Sequence, residues 1–309
     1  MKTALITGAS TGIGVVFARQ LAQRQMELIL VARSRDKLEQ LAAELGEQYG
    51  VKVTVIVQDL TVAGAGKLVY DTVNQKGINV DLLVNNAGFG DYGAFSEQDL
   101  ARQLEMIQLN NLVLVELSHY FLRPMLAGAG GAIINVASIA GFQPLPYLSV
   151  YAATKAFVLS FSESLWAENK DKGVEILALC PGPTESNFFE VARFPSAFMG
   201  KNGRLDSAEV VVQEALTALA NKRPNVVAGK LANKIIVNLP RFLPRSWIVS
   251  LIEKQFKLLV GSAEKVFPGG RVWGFTYFQG KSSSISPGLP HGWHFLMAKK
   301  FKSFIEQGC

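Results

Sequence analysis

The feature that most constrains the fold is a regular alternation of short apolar segments, rich in branched residues, with amphipathic segments of helical length. Apolar segments without a polar face indicate strands covered on both sides, as in a parallel sheet between two helix layers. The predicted strands are Ala4–Thr7, Leu28–Val31, Val51–Val57, Leu82–Val84, Ala132–Ala137, Glu175–Leu179 and Val226–Ala228. The predicted helices are Ile13–Arg24, Asp36–Tyr49, Ala65–Asn74, Glu97–Leu122, Ser149–Lys170 and Ser207–Ala220. The predicted class is α/β, with a doubly wound parallel sheet flanked by helices.

The alternation ends near residue 228, where the character of the chain changes. We therefore divide the 309 residues into an α/β domain, residues 1–228, and an additional basic C-terminal extension, residues 229–309. Residues 1–221 carry 17 Lys and Arg against 22 Asp and Glu, a net charge of −5, whereas residues 222–309 carry 14 against 3, a net charge of +11. Basic charge confined to one end favours a surface-binding segment over a nucleic-acid-binding protein, so no nucleic-acid partner is expected.

The extension begins with an amphipathic segment, residues 230–260, in which apolar residues recur at roughly helical spacing among Lys and Arg. Pro240 and Pro244 divide it into at least two pieces, because proline cannot donate a helical hydrogen bond. The pattern suits peripheral contact with an anionic membrane surface, with a pocket lid and a subunit contact as alternatives. Residues 261–292, rich in Gly, Pro and Ser, are predicted to be loop-like or poorly ordered, and a short basic helix is predicted at about Phe295–Ile305.

Several classes of protein are excluded by what the sequence lacks. Cys180 and Cys309 cannot form a disulfide framework, and the three histidines are scattered, so no metal site is expected. No apolar run reaches the roughly 18 residues of a membrane span. A strand-like segment follows Met1-Lys2 directly and leaves no room for a signal peptide, so we expect a cytoplasmic protein whose only membrane contact is peripheral.

The first predicted binding site is the run T-G-A-S-T-G-I-G, Thr7–Gly14, between the first strand and the first helix. Gly8 permits a tight turn, Gly12 lets the backbone approach a pyrophosphate, and Gly14 allows close packing of helix on strand. The start of the helix then offers unpaired N–H groups to the phosphates. A purely structural turn is the alternative, but this position after the first strand favours a Rossmann-type dinucleotide site.

The choice of dinucleotide is set where the second strand ends, in the run L-I-L-V-A-R. An acidic residue at this point would bind the ribose 2′-hydroxyl of NAD. Arg33 stands there instead, and its guanidinium suits a 2′-phosphate, with Arg35 as an assisting group. The sequence therefore favours NADP(H) over NAD(H) as the cofactor.

A second predicted site combines Tyr151 and Lys155, four apart on one helix face, with Ser138 at the end of a strand. A phenol has an ordinary pKa of about 10, which is poorly matched to proton transfer near neutrality. The adjacent ammonium, together with the positive charge of an oxidised nicotinamide, is expected to lower that pKa. The serine hydroxyl can orient a carbonyl oxygen and share its developing charge.

In this order the motifs resemble the short-chain dehydrogenase/reductase family, in its single-domain form, over about residues 1–228. The motifs that carry the resemblance are Thr7–Gly14, Asp59-Leu60, N-N-A-G at 85–88, Asn110, Ser138, Tyr151 with Lys155, and Pro181-Gly182. Two departures stand out. Thr11 occupies a position where many NADP-preferring members have Lys or Arg, and the extension after residue 228 is not covered by the family pattern.

The resemblance implies a role for each matched residue. It makes Asn110, Ser138, Tyr151 and Lys155 the catalytic residues, with Asn110 holding a water that links Lys155 to solvent and Asn111 as the adjacent candidate. It places Asp59 at the adenine and Thr184 at the nicotinamide. The implied cofactor-binding residues are Gly8, Ser10, Thr11, Gly12, Ile13, Gly14, Arg33, Asp59, Leu60, Asn86, Ala87, Gly88, Tyr151, Lys155, Pro181, Gly182 and Thr184.

The segment between Pro183 and Asp206 is the expected substrate loop, and its large apolar side chains are Phe188, Phe189, Val191, Phe194, Phe198 and Met199. Such a loop favours a small apolar carbonyl substrate, such as a 3-oxoacyl, ketolipid or steroid-like compound. The alternative is that these side chains only pack the loop onto the sheet.

The predicted function is that of an NADP(H)-dependent oxidoreductase, a homo-oligomer that transfers a hydride between nicotinamide and a carbonyl or alcohol carbon. One alternative is a non-catalytic NADP(H)-sensing protein, which would not need Ser138, Tyr151 and Lys155 together. Another is a nucleotide-sugar epimerase or dehydratase. Those proteins usually carry G-x-x-G-x-x-G, whereas this chain has G-x-x-x-G-x-G.

Overall fold

Seven strands form one parallel sheet in a computed structural model that describes residues 2–194, 205–241 and 243–266. The strands are β1 Thr3–Thr7, β2 Glu27–Ala32, β3 Val53–Val57, β4 Leu82–Asn85, β5 Gly131–Val136, β6 Val174–Pro181 and β7 Asn225–Ala228. Their order across the sheet is β3-β2-β1-β4-β5-β6-β7, and every neighbouring pair is parallel. All seven predicted strands are confirmed, and the third begins at Val53 instead of Val51.

Helices cover both faces of the sheet. They are α1 Gly12–Gln23, α2 Arg35–Tyr49, α3 Ala65–Gln75, α4 Leu100–Ile107, α5 Val113–Ala127, α6 Ser149–Asn169, α7 Phe188–Val191, α8 Ala208–Ala220, α9 Leu231–Asn238 and α10 Arg245–Val266. One apolar core joins α1, α2 and α8 to the sheet, and a second core joins α3 and α5 to the opposite face. This is the predicted Rossmann-type, doubly wound α/β fold.

The strand order reverses between β1 and β4, which lie side by side. The chain reaches β3 on one side of β1 and then crosses back to β4 on the other, so α1 after β1 and α5 after β4 cover opposite faces of the sheet. In open α/β sheets ligands bind at this point, outside the carboxyl ends of the strands. The glycine turn after β1 and Ser138 after β5 therefore lie along the same edge.

The predicted helix Glu97–Leu122 is wrong as one continuous element. A π-helical turn, Gln108–Leu112, separates α4 from α5, and α5 continues through Pro124 to Ala127. The wider turn directs Asn110 and Asn111 into the interior, where both side chains bond Thr154 on α6. An apolar repeat of 3.6 residues does not reveal an inserted residue, because the pattern on either side is still helical.

The first part of the C-terminal extension is helical. A short 3₁₀ turn, Leu239–Arg241, joins α9 to α10, so the break near Pro240 and Pro244 is present as expected. The expectation of a loop from residue 261 is wrong as far as Val266, because α10 continues to that residue. The rest of the predicted loop and the predicted helix at Phe295–Ile305 lie outside the described residues.

One compact unit, Met1–Ala263, includes α9 and nearly all of α10. The division of the chain at residue 228 stays a prediction. Among the described helices, none is long and apolar enough to cross a membrane.

Candidate active site

A cavity of about 640 Å³ opens along the carboxyl edge of the sheet. It is lined by the glycine turn, by the residues that follow β2 to β6, by α7 and by α10. Of the catalytic and cofactor-binding residues that the family resemblance implies, all but Gly14, Asn110 and the adjacent candidate Asn111 line it. The two sites predicted separately are therefore two ends of one cavity.

The glycine turn is shaped by close approaches that leave no room for side chains. Gly8 and Gly12 adopt φ values of +64° and +55°, which L-residues with a Cβ rarely adopt. A Cβ on Gly14 would collide with the carbonyl oxygen of Gly8. Gly14 does not line the cavity. Because it has no side chain, the first turn of α1 can pack directly against the backbone of Gly8.

Two polar side chains hold the glycine turn against the loop after β4. The Asn86 side chain donates to the Thr7 carbonyl at 2.9 Å, and the Thr7 hydroxyl accepts from the Asn86 and Ala87 N–H groups at 2.9 and 3.0 Å. At the start of α1, the Thr11 side chain makes no capping hydrogen bond. It therefore accepts nothing from the first backbone N–H groups of the helix, which face the cavity. This arrangement fits a pyrophosphate.

At the far end of the cavity, Arg33 lies 4.0 Å from the Asp59 carboxylate, and its side chain is 72% exposed. Burial acts to raise the pKa of Asp59, but hydrogen bonds from Thr61 and the charge of Arg33 outweigh it, so the pKa lies below its ordinary value. Lys37, in the first turn of α2, also lines this end and was missed in the sequence, although it lies only four positions after Arg33. Arg35 pairs instead with Glu39 at 3.1 Å and does not line the cavity.

Tyr151 and Lys155 lie side by side on α6 and are 9% and 5% exposed. The Lys155 Nζ atom is 5.8 Å from the centre of the Tyr151 ring and donates to the Val136 carbonyl at 2.8 Å. Ser138 follows β5, caps a short 3₁₀ turn, and is hydrogen-bonded to the Tyr151 hydroxyl. The helix and the strand end thus bring a phenol, an ammonium and a hydroxyl together at one point of the cavity.

Burial dominates the ionisation of this group. It raises the pKa of Tyr151 to about 12, although the hydrogen bond from Ser138 acts in the opposite direction. It lowers the pKa of Lys155 to about 8, against a smaller opposing effect of Cys180. Among the protein's own groups burial therefore dominates. The expected lowering of the Tyr151 pKa, which also counts on the charge of an oxidised nicotinamide, stays a prediction.

Asn110 is 1% exposed and lies behind the cavity wall. Its side-chain amide donates to the Phe89 carbonyl and to the Thr154 hydroxyl, each at 3.0 Å, and its oxygen accepts from the Phe89 N–H at 3.1 Å. A Cβ on Gly88 would lie 2.9 Å from this oxygen and 3.5 Å from the Lys155 Nζ atom. Asn110 therefore braces the loop after β4 directly behind Lys155.

The substrate end of the cavity is apolar. Phe188, Phe189, Val191 and Phe194 line it, as predicted, while Phe198 and Met199 lie outside the described residues. The Phe188 ring is 5.2 Å from the Tyr151 ring, and Phe189 and Phe194 pack against Phe188, so these side chains both face the cavity and pack the loop.

The wall includes residues that the sequence did not single out for this role: Phe89, Leu145, Leu148, Ile252 and Phe256. Of these, Ile252 and Phe256 belong to α10, and the Phe256 ring lies 6.0 Å from the ring of Tyr92. Of the three interpretations of the amphipathic segment, a contribution to the pocket therefore has direct support.

The fold and this arrangement agree with comparisons to known proteins. A family model described as short chain dehydrogenase matches residues 2–194. The very-long-chain 3-oxoacyl-CoA reductase of Anas platyrhynchos is 39% identical over 184 residues, which is 58% of this chain and 58% of that protein. The reductase of that name from Homo sapiens is 31% identical over 255 residues, 79% of this chain and 76% of that one. A short-chain dehydrogenase from Sphingobium yanoikuyae, solved in complex with NADPH, is 27% identical with a TM-score of 0.69, covering 89% of this chain and 99% of that one.

A Rossmann-type sheet with these motifs, matched over more than half of the chain, defines the class of protein. The chain belongs to the short-chain dehydrogenase family. Its match to the duck reductase spans only 58% of that relative's length.

Replacing Lys155 with Met tests the desolvation of the lysine. The folded protein holds the Lys155 pKa at about 8, below that of the unfolded chain, so the unfolded chain binds more protons above this value. Wild-type stability should therefore rise with pH relative to Lys155→Met, by roughly 3 kcal/mol in total between about pH 7 and 10.5. Urea unfolding at pH values up to about 9.5, below the ordinary pKa of tyrosine, measures most of this change.

The matched control is Lys170→Met, which removes an exposed lysine near the end of the same helix. Its stability difference from the wild type is the reference against which the pH dependence of Lys155→Met is compared. A pH-independent difference for Lys155→Met would show that the buried lysine keeps an ordinary pKa.

Proposed function

We propose that this protein is an NADP(H)-dependent oxidoreductase that reduces an apolar ketone to an alcohol. The observation that carries the proposal is the convergence of Ser138, Tyr151 and Lys155 on one cavity with the glycine turn. The family, and relatives named as 3-oxoacyl-CoA reductases, support the same reaction class.

The cavity fits a nicotinamide dinucleotide, because the glycine turn leaves a cradle that side chains would fill. A Cβ on Gly12 would lie 2.9 Å from the Ser186 side chain, so only a residue without a side chain fits at this point of the cavity wall. The glycine turn would hold the phosphates, and the segment from Pro181 to Thr184 would meet the nicotinamide. When bound, this cofactor supplies the hydride for carbonyl reduction.

The chain's own residues supply the proton and the orientation. Tyr151 is protonated at neutral pH and lines the cavity beside Ser138, so its hydroxyl can donate to a carbonyl oxygen as general acid. The Ser138 hydroxyl orients that oxygen and shares the developing negative charge. Lys155, cationic at neutral pH, stabilises the phenolate after the proton has left and would bind the ribose hydroxyls.

A preference for NADP(H) is supported by the basic side chains at the far end of the cavity. Arg33 and Lys37 both line that end, and a guanidinium forms paired hydrogen bonds with a phosphate. Thr11 adds no charge here, so Arg33 is the main determinant. The similar structure from Sphingobium yanoikuyae was solved with NADPH.

An apolar substrate is supported by the aromatic wall around Tyr151. A pocket lined mostly by phenylalanine and leucine binds through burial of apolar surface, with few polar groups to orient the ligand. The related reductases are named for very-long-chain 3-oxoacyl substrates. A long-chain 3-oxoacyl compound is thus the first substrate class to test, ahead of ketolipid and steroid-like carbonyls.

A homo-oligomer is supported by an apolar surface on the outer face of α4 and α6. Leu100 and Leu104 on α4 are 64% and 56% exposed, and Phe157 on α6 is 46% exposed. Phe157 lines a shallow apolar depression together with the exposed Phe95 and Ile107. Exposed patches of this kind mark contacts between proteins.

Peripheral membrane contact is supported by the outer faces of α9 and α10. Leu231, Trp247 and Leu251 are 70%, 65% and 42% exposed there. The exposed basic residues Lys230, Lys234, Arg245 and Lys254 lie among them. Exposed apolar side chains interspersed with basic ones suit binding to an anionic lipid surface.

Replacing Tyr151 with Phe removes the proposed acid while keeping the ring. Turnover of a long-chain 3-oxoacyl ester, followed as NADPH oxidation, should fall by about 10²- to 10⁴-fold, with the affinity for NADPH little changed. Tyr147→Phe, which changes a tyrosine that does not line the cavity, is the matched control and should retain activity. Equal turnover in Tyr151→Phe and the wild type would exclude Tyr151 as the acid. Tight NADPH binding without reduction of any ketone by the wild type would favour the non-catalytic sensor.

Replacing Arg33 with Asp tests the cofactor preference. The KM for NADPH should rise by about tenfold or more, because the paired hydrogen bonds are lost and a carboxylate repels the 2′-phosphate. The KM for NADH should not rise. Arg35→Asp changes a neighbouring arginine outside the cavity and serves as the control. An equal loss with both cofactors would contradict the assignment of Arg33.

Reversing three charges on α9 and α10, Lys234→Glu, Arg245→Glu and Lys254→Glu, tests the membrane contact. The wild type should float with phosphatidylcholine vesicles that contain phosphatidylglycerol and the triple variant should not, because each basic residue near an anionic surface adds about 1 kcal/mol. A control with the same net charge reverses the exposed Lys52, Lys76 and Lys172 elsewhere. Equal flotation of both triple variants would rule out this face.

A further inference from the structure

A buried carboxylate lies between the loop after β4 and the substrate segment, and the proposed chemistry does not use it. The side chain of Asp91 is fully buried. It accepts two parallel hydrogen bonds from Arg193, Nε to Oδ1 at 2.8 Å and Nη2 to Oδ2 at 2.7 Å. Arg102 Nε donates to the same carboxylate at 3.1 Å, and Gln103 donates at 2.7 Å. The Gln98 amide also donates to it, at 3.3 Å, so two guanidiniums and two amides converge on one carboxylate.

These bonds fix the end of α7 to the body of the protein. Arg193 follows α7 and has a φ of +58°, an uncommon conformation for a residue other than glycine, which needs support from its surroundings. The second arginine, Arg102, also donates to the Val191 carbonyl at 2.6 Å. Next to Asp91, the Tyr92 N–H donates to the Ala192 carbonyl at 2.8 Å. The last turn of α7 is therefore held by both backbone and charged side chains.

The anchored segment is the part of the cavity wall that faces the phenol. A Cβ on Gly90 would lie 2.7 Å from the Phe188 ring and 3.3 Å from the Tyr151 ring, so the backbone beside Asp91 touches both. Phe188 and Val191 line the apolar end of the cavity. The distance from Phe188 to Tyr151 consequently depends on how α7 is seated on the loop that carries Asp91.

The charge balance distinguishes this cluster from an ordinary surface ion pair. A carboxylate that is fully buried needs several partners to offset the loss of water, and here each oxygen has at least two donors. Neutralising it would leave two guanidiniums around an uncharged group, and the guanidinium of Arg193 is half exposed and can turn to water. The anchor should therefore fail at Arg193 first, while Arg102 remains on the face of Phe89.

We propose that Asp91 is a positioning residue: by holding Arg193 and Arg102 it seats α7 as the wall of the substrate pocket and so sets the affinity for long apolar ketones. This inference rests on the proposed reductase function. It assigns Asp91 no contact with substrate or cofactor, since Asp91 does not line the cavity.

The test replaces Asp91 with Asn, which keeps the shape and removes the charge. Two substrates are compared with NADPH, ethyl acetoacetate and a long-chain 3-oxoacyl ester. The KM for the long ester should rise by about tenfold, whereas the KM for the short ester, kcat for both and the Kd for NADPH should change by less than about threefold. A general loss of structure would instead lower kcat for both esters and raise the Kd for NADPH.

A second measurement is independent of catalysis. Trypsin must take up an arginine side chain to cleave after it, so the bond after Arg193 is protected while Asp91 holds its guanidinium. Cleavage at this bond, followed by mass spectrometry, should be about tenfold faster in Asp91→Asn, because local opening sets the rate. The matched control is Glu44→Gln, which breaks a two-bond pair with Arg19 remote from the cavity and should alter neither measurement.

The outcomes separate this inference from the proposed function. If the wild type reduces ketones and Asp91→Asn has the same KM for both esters, the positioning role is overturned while the reductase stands. Faster cleavage without a change in KM overturns it equally, because α7 would then be loosened without effect on the substrate. A wild type that reduces neither ester overturns the reductase, and the substrate role of Asp91 with it.

Discussion

The parallel pairing of β1 with both β2 and β4 is the constraint on which the rest of the structure depends. Because the strand order reverses at β1, the helices that follow β1 and β4 cover opposite faces of the sheet and leave a crevice at the carboxyl edge. The position of each group in the candidate site follows from this crevice. The glycine turn lies on one side of the crevice and Ser138 on the other, and α6 places Tyr151 between them and the substrate end.

Buried amides hold the helix with the reactive groups in register with the sheet. Asn85 and Asn135 are paired neighbours on β4 and β5, and the first donates to the second at 2.9 Å. Asn85 also donates to the Ser118 hydroxyl on α5 at 3.1 Å, and Asn135 donates to the Ser162 hydroxyl on α6 at 3.0 Å. Polar groups removed from water are costly unless paired, so such a network accepts few alternative arrangements. The hydrogen bond from the sheet to Ser162 thus helps to fix the orientation of α6, and with it the positions of Tyr151 and Lys155.

The extension is part of the active-site architecture at both of its described helices. Asn233 on α9 donates to Asp206 at 2.8 Å and packs so closely on Gly182 that no side chain fits there. Ile252 and Phe256 on α10 complete the apolar wall. The turn expected to meet the nicotinamide and the pocket expected to meet the substrate are thus each supported by residues beyond the family pattern. The outer faces of α9 and α10 carry the exposed basic and apolar side chains of the proposed membrane-facing surface. The same two helices therefore contribute both to the cavity side and to that surface.

The amino-acid sequence by itself determined the sheet, the glycine turn and the Tyr151–Lys155 pair, because these depend on local periodicity and short spacings that need no knowledge of distant contacts. The tertiary structure alone decided the π turn at Asn110, the pairing of Asp91 with Arg193, 102 positions away, and the approach of α10 to the cavity. It also buries Tyr151, which raises the pKa of its hydroxyl. Desolvation and long-range pairing depend on which segments the fold packs together, and no spacing along the chain records that.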